Sequence, residues 1–182
     1  MRKEERYKAV IEYFERTMPV AETELHYANP YQLLVAVVLS AQCTDKRVNQ
    51  VTPALFRAYP DAASMAEAGE AEIFEYIKSV SYPNSKARHL AALSAMLVSD
   101  YGGEVPSEME QLLRLPGVGR KTANVMQAVA FGRNAMAVDT HVFRVSHRLG
   151  LVARTATTPL KVEQALVGLI PADDLPRAHH WL

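Results

Sequence analysis

Between Leu115 and Lys121 the chain reads Leu-Pro-Gly-Val-Gly-Arg-Lys, and this stretch limits what the rest can be. Two glycines flank a single valine, so the backbone can turn tightly through the positive φ that other residues resist. Apolar residues at helical spacing lie on both sides, Met109 to Leu115 before and Thr122 to Phe131 after. The spacing predicts a helix, a hairpin and a second helix that starts near Lys121. The first N–H groups of such a helix lack intrahelical partners and form a seat for an anion such as a phosphate. Lys121 is out of place there. A cation in the first turn opposes the helix dipole, and Arg120 beside it adds like-charge repulsion. Both effects favour the neutral amine, the nucleophilic form.

The chain has no net charge, which argues against a nucleic-acid partner until the distribution is read. From Gln111 to Lys161 the basic residues are Arg114, Arg120, Lys121, Arg133, Arg144, Arg148, Arg154 and Lys161, and Asp139 is the only acid. That segment carries +7 and the remainder −7. A basic face against an acidic back suits phosphate binding with restrained non-specific affinity. The plain alternative is a set of ordinary solvated helix residues, but their overlap with the hairpin favours nucleic acid. With 182 residues, 49% of them hydrophobic, the chain can bury a core in one domain or two small lobes. It has no apolar run of eighteen residues and no basic-then-apolar leader, so neither a membrane span nor secretion is expected. Its one cysteine, Cys43, cannot form an internal disulfide, which agrees with a reducing cytosol.

The order of elements reads as all-α. Arg2 to Met18 forms an amphipathic helix with Tyr7, Val10, Ile11, Phe14 and Met18 on one stripe, ended by Pro19. Asn29 and Pro30 are an N-cap and N1 pair for a helix from Tyr31 to Ala41 that is apolar nearly all round. Thr44 caps the next helix, along Val48, Val51, Leu55 and Phe56, with Pro53 expected to kink or restart it. Asp61 caps a short helix. Another runs from Glu70 to about Ser79 with Ile73, Phe74 and Ile77 inward, and another from Ser85 to Tyr101 with Leu90, Leu93, Leu97 and Val98 inward, stopped by Gly102-Gly103. Ser107 to Glu110 reads as a capping box opening the first hairpin helix. Gly132 ends the second. Asn134 to Val138 is extended, and Asp139 is the N-cap of a helix from Thr140 to Leu149. Thr158-Pro159 opens a further helix with Val162, Leu166 and Leu169. His179 and His180 are adjacent and point to different helix faces, so this pair alone makes no metal site.

Three strings together are far more specific than a Gly-x-Gly turn: LPGVGRKTA from Leu115, VDTHVFR from Val138 and LLVAVVLSAQCTDKRVN from Leu33. They resemble the endonuclease III family of helix-hairpin-helix DNA glycosylases, and the resemblance runs along nearly the whole chain to His179-His180-Trp181-Leu182. It implies a two-lobed helical fold, with residues 1–20 and 134–182 in one lobe and 21–133, carrying the hairpin at 115–121, in the other. By the same resemblance Lys121 is the Schiff-base nucleophile and Asp139 the catalytic carboxylate. Leu115, Gly117, Val118, Gly119, Arg120 and Thr122 line the DNA-binding hairpin, and Gln42 approaches the gap left by an extruded nucleotide. His141 and Arg144 are pocket or phosphate contacts. Ser81 to Ala87 is similar to the family's loop G-hydrophobic-Y-N-x-K-A, with Ser81 for the glycine and Pro83 for the aromatic. Tyr82 then stands where the family has a wedge that enters the base stack; the other reading makes it a half-buried loop anchor.

The resemblance implies a bifunctional glycosylase and lyase that removes oxidised pyrimidines from duplex DNA, acting as a monomer on damaged double-stranded DNA. A non-catalytic hairpin module gripping phosphates is the rival from another class; a same-fold glycosylase for mismatched or ultraviolet-damaged bases is the rival within the fold. The family's [4Fe–4S] cluster is held by four cysteines after the HHWL string. This sequence stops at Leu182, so the cluster is expected in a longer form, with no metal bound by this chain and a first lobe that is incomplete.

Overall fold

The computed structural model describes residues 2–182; residue 1, part of the expected first lobe, lies outside the described residues. Among the described residues there are eleven α-helices, one π-helical turn, one 3-10 turn and no strand. Contacts divide the chain into two compact units, Glu24–Met126 and Met1–Thr23 with Gln127–Leu182. No helix among the described residues is long and apolar enough to cross a membrane.

The Glu24–Met126 unit is built around α2 (Pro30–Ser40), buried on every side through Leu33, Leu34, Val35, Ala36 and Leu39. The Asn29 side chain accepts from the Gln32 N–H and Pro30 occupies the first turn, where a missing N–H costs nothing. Next, α3 (Asp45–Ala58) is capped by Thr44 and runs unbroken through Pro53, against the expected kink or restart. Val51, Thr52 and Leu55 are buried around that proline, and their packing outweighs the one hydrogen bond it removes. Then come α4 (Ala62–Glu67) and α5 (Glu70–Ile77), which pack on α6 (Pro83–Tyr101), followed by α7 (Met109–Leu112) and α8 (Arg120–Val125).

Several boundaries and faces differ from the expectation. Helix α6 starts at Pro83, two residues before Ser85, because proline fits the first helical position. Leu90, Leu93 and Leu97 are fully buried, but Val98 is 43% exposed, since the residue after Leu97 is turned ~100° round the axis. Phe74 is half-buried. The N-cap position of α7 is Glu108, not Ser107. Gly102, with φ +62, turns the chain so that the Gly103 N–H donates back to the Leu97 carbonyl at 2.8 Å.

The other unit packs α1 (Lys3–Thr17), α9 (Thr140–Arg148), α10 (Pro159–Val167) and α11 (Leu175–Trp181) around Tyr7, Val142, Leu151, Val162 and Leu166. Met18 lies outside this core, exposed at the end of α1 where the helical stripe no longer holds. Distant segments are fastened by single contacts: Arg6 Nη1 donates to the Gly150 carbonyl at 2.8 Å, and Trp181 Nε1 to the Met18 carbonyl at 3.0 Å.

Candidate nucleic-acid interface

The hairpin between α7 and α8 is held by its own backbone. Leu115 N–H donates to the Leu112 carbonyl and Val118 N–H to the Leu115 carbonyl, each at 3.1 Å. Of the two glycines, only Gly117 has positive φ, at +78°. It also lies on His89 of α6: a Cβ there would come within 2.8 Å of the histidine Cβ. Gly119 is extended, φ −94°, at the N-cap of α8, and a Cβ there would meet nothing within 4 Å. The second glycine is therefore not demanded by backbone or neighbours, contrary to the expectation that both serve the turn. Leu115 and Val118 are 2% and 7% exposed, so their side chains belong to the core and any ligand contact they make is through the main chain.

Arg120 and Lys121 are exposed at the first two positions of α8, and Thr122 is half-buried after them. Gly119 offers no side-chain cap, so the first-turn N–H groups receive none from that position. Beyond Val125 the helix widens into a π turn, Met126–Ala130, and Gly132, two residues after it, has φ +60. The expected single helix from Thr122 to Phe131 is thus two kinds of helix, and π turns are frequent near functional sites.

In the same unit, Gln42 is exposed in the turn between α2 and α3, and Tyr82 is 65% exposed immediately before α6. The half-buried anchor reading of Tyr82 is overturned by that exposure. These two are the only non-glycine positive-φ residues among those described, at +52° and +54°. Beneath them sits Lys86, 5% exposed, donating to the carbonyls of Leu39 at 2.8 Å and Ala41 at 2.7 Å. Burial pushes the Lys86 ammonium below the usual lysine range, an effect opposed by Cys43 nearby. Sequence reading passed over Lys86 and His89; the lysine's place in the loop string Asn84-Ser85-Lys86-Ala87 was the available signal.

In the other unit, Asp139 is the N-cap of α9, as its position in the sequence leads one to expect. Its Oδ1 accepts from the His141 and Val142 N–H groups, both at 2.8 Å. The carboxylate borders an open cavity of about 390 Å³ lined by Val138, Thr140, Phe143, Thr157 and Pro159. His141 and Arg144 are exposed one turn apart, with His141 Nδ1 at 3.4 Å from Arg144 Nη2. His179 Nδ1 is hydrogen-bonded to the Ala137 carbonyl at 2.8 Å, which ties the strand-like approach to Asp139 onto α11.

A [4Fe–4S] cluster needs cysteine thiolates, four of them in the usual site. The sequence holds one, Cys43, half-buried after α2. Among the described residues no group of three or more His, Cys, Asp or Glu is placed to hold a metal ion. The donor set of this chain does not fit the cluster.

Residues 35–172 match the model of the HhH-GPD superfamily of base excision DNA repair proteins. The chain is 47% identical over 173 residues to endonuclease III of Rickettsia conorii, covering 95% of this chain and 81% of that protein. It is 49% identical over 164 residues to endonuclease III of Bacillus subtilis, covering 90% and 74%. Among solved structures, a trapped endonuclease III–DNA covalent intermediate is similar along the full length of this chain and 84% of its own, with 44% identity and a TM-score of 0.94.

Proposed function

This chain belongs to the endonuclease III family, within the HhH-GPD superfamily of base excision DNA repair proteins, and from that premise we propose that its own Lys121 and Asp139 carry out glycosylase and lyase chemistry on oxidised pyrimidines in duplex DNA. The observation that carries the reading is Lys121 itself. It is an exposed lysine on the second residue of a helix entered through Gly119, around which there is open space. A glycine that neither φ nor packing requires is what close approach of a phosphate would call for. The likeness to a covalent endonuclease III–DNA complex supports the same assignment.

The target nucleotide leaves the stack, because its sugar carbon is inaccessible within the duplex. Lys121 Nζ attacks C1′; the C1′–N bond breaks and its electron pair departs with the base, which takes a proton from water. The amine loses a proton, the sugar ring opens at C1′–O4′, and a Schiff base links lysine and sugar. Loss of a C2′ proton then expels the 3′ phosphate, and water releases the lysine. The Asp139 carboxylate stabilises the positive charge that develops on the sugar as the base leaves. The hairpin from Leu115 to Thr122, with Arg144 and His141, holds the DNA backbone, and Gln42 and Tyr82 occupy the disrupted stack. A single chain acts in the cytoplasm on damaged duplex. A purely gripping hairpin module would explain the glycines and the basic segment but has no use for Lys121 and needs Asp139 only as a cap.

Borohydride reduction tests this directly. Incubated with duplex carrying thymine glycol or an abasic site, the protein should be trapped on DNA as a covalent adduct. Lys121→Gln should abolish trapping while DNA binding largely survives. Trapping of the variant at the parent's level would place the nucleophile elsewhere.

A further inference from the structure

Lys86 is the only buried lysine or arginine among the described residues, and an ammonium is an expensive choice for a site that an apolar side chain could fill. Its head group meets the carbonyls of Leu39 and Ala41, at the end of α2, where helix carbonyls lack partners and the dipole favours a cation. The second of them, that of Ala41, immediately precedes Gln42. Its own N–H donates to the Tyr82 carbonyl at 3.1 Å, which is the first turn of α6. One residue thus holds, by side chain and by main chain, the two segments that carry the only left-handed non-glycine residues described. For Tyr82 the conformation is doubly unfavourable, since the residue before a proline is already restricted. Strained residues persist where surrounding structure over-determines them, and such strain clusters at ligand clamps.

We propose that Lys86 is a positioning residue that fixes Gln42 relative to Tyr82, so that the two enter the DNA stack as one preorganised pair. The proposal rests on the reading that Gln42 and Tyr82 meet DNA, and it adds what sets their spacing. In this account Lys86 touches no DNA and acts through Gln42. The contact spans 47 residues of sequence for Leu39 and 45 for Ala41.

A double-mutant cycle tests it with full-length protein and two duplexes, one undamaged and one carrying a tetrahydrofuran abasic-site analogue, which the enzyme cannot cleave. Fluorescence anisotropy gives the affinities, and thermal melting checks folding. Gln42→Ala and Lys86→Met should each weaken binding to the analogue duplex about tenfold, the scale of one lost polar contact. Lys86→Met should leave affinity for undamaged duplex within about twofold. The double variant should be no more than about threefold weaker than the worse single one, because the second change removes a support for a side chain already gone. Losses that multiply towards about a hundredfold, or equal losses on both duplexes, would overturn the proposal and leave Lys86 a general support of the fold. Unaltered binding by Gln42→Ala would remove the Gln42 assignment and this proposal together, while borohydride trapping through Lys121 would still stand. Should Lys86→Met melt below the assay temperature, Lys86→Arg takes its place in the cycle. Its bulkier head should displace the Ala41 carbonyl and cost about threefold in the parent and nothing in the Gln42→Ala background; equal cost in both would also overturn the proposal.

Discussion

Asp139 places two demands on one carboxylate. Both of its cap bonds fall on Oδ1, at 2.8 Å from the His141 and Val142 N–H groups, and the same side chain borders the open cavity at the start of α9. Asn caps about as well as Asp, and its carbonyl oxygen can accept the same two bonds. Asp139→Asn should therefore melt close to the parent while base excision, measured in single turnovers, falls on the order of 10²-fold through loss of the charge. Parallel losses of melting temperature and rate would reduce Asp139 to a cap. At this scale the string from Leu115 to Lys121 announced its own turn, but not the unequal parts its glycines play. Gly117 is needed because its φ is +78° and His89 lies beneath it, and that histidine is 28 residues earlier in the chain.

At the scale of the element, short helices depend on their ends more than on their length. The six residues of α4 are started by Asp61, whose carboxyl is held below the usual carboxylate range first by the Ser64 N–H and then by the Ser64 hydroxyl. A carboxylate with a depressed folded-state pKa contributes stability that is complete above its unfolded value, ~3.9, and is lost as the pH falls through the folded value. Asp61→Asn should thus melt below the parent at neutral pH, and the gap should close as the parent's own carboxyl is protonated. Thermal melts of both proteins from pH 7 downward check this; a gap that persists undiminished at about pH 2 would assign the difference to cap geometry and not to charge. Caps of this kind were legible at Asn29, Thr44, Asp61, Asp139 and Thr158, because a cap acts within three residues of itself. The π turn after Val125 was not, since an apolar pattern tuned to 3.6 residues per turn does not register one widened turn.

At the scale of the whole molecule, the N-terminal segment and the C-terminal helix are fastened together within one unit. The sole tryptophan, Trp181, is buried against Phe14 with nearly parallel rings 6.1 Å apart, bonds the Met18 carbonyl and lies under the Arg177 guanidinium at 4.9 Å. Replacing a buried aromatic of this size by alanine costs about 3–5 kcal/mol. Trp181→Ala should show faster hydrogen exchange through α1 and α11, and in the parent the fluorescence of this single tryptophan should report unfolding of that unit. Unchanged exchange in α1 would mean that Arg6 and Tyr7, through Gly150 and Asp174, hold the helix without it.

What the sequence determined by itself was local and chemical. Helix positions, most caps and the hairpin follow from residues within a few positions of one another, and the basic segment and the strings around Lys121 and Asp139 are read directly along the chain. Their order was specific enough to reveal the family. Tertiary structure alone decided which apolar residues are core, as Val98 and Met18 show, and whether Pro53 would break its helix. It alone decided that Gln42 and Tyr82 share a left-handed backbone over one buried lysine. The reason is range: dihedral preference and capping act along the chain, whereas a buried ammonium finds its carbonyls only after helices distant in sequence have packed.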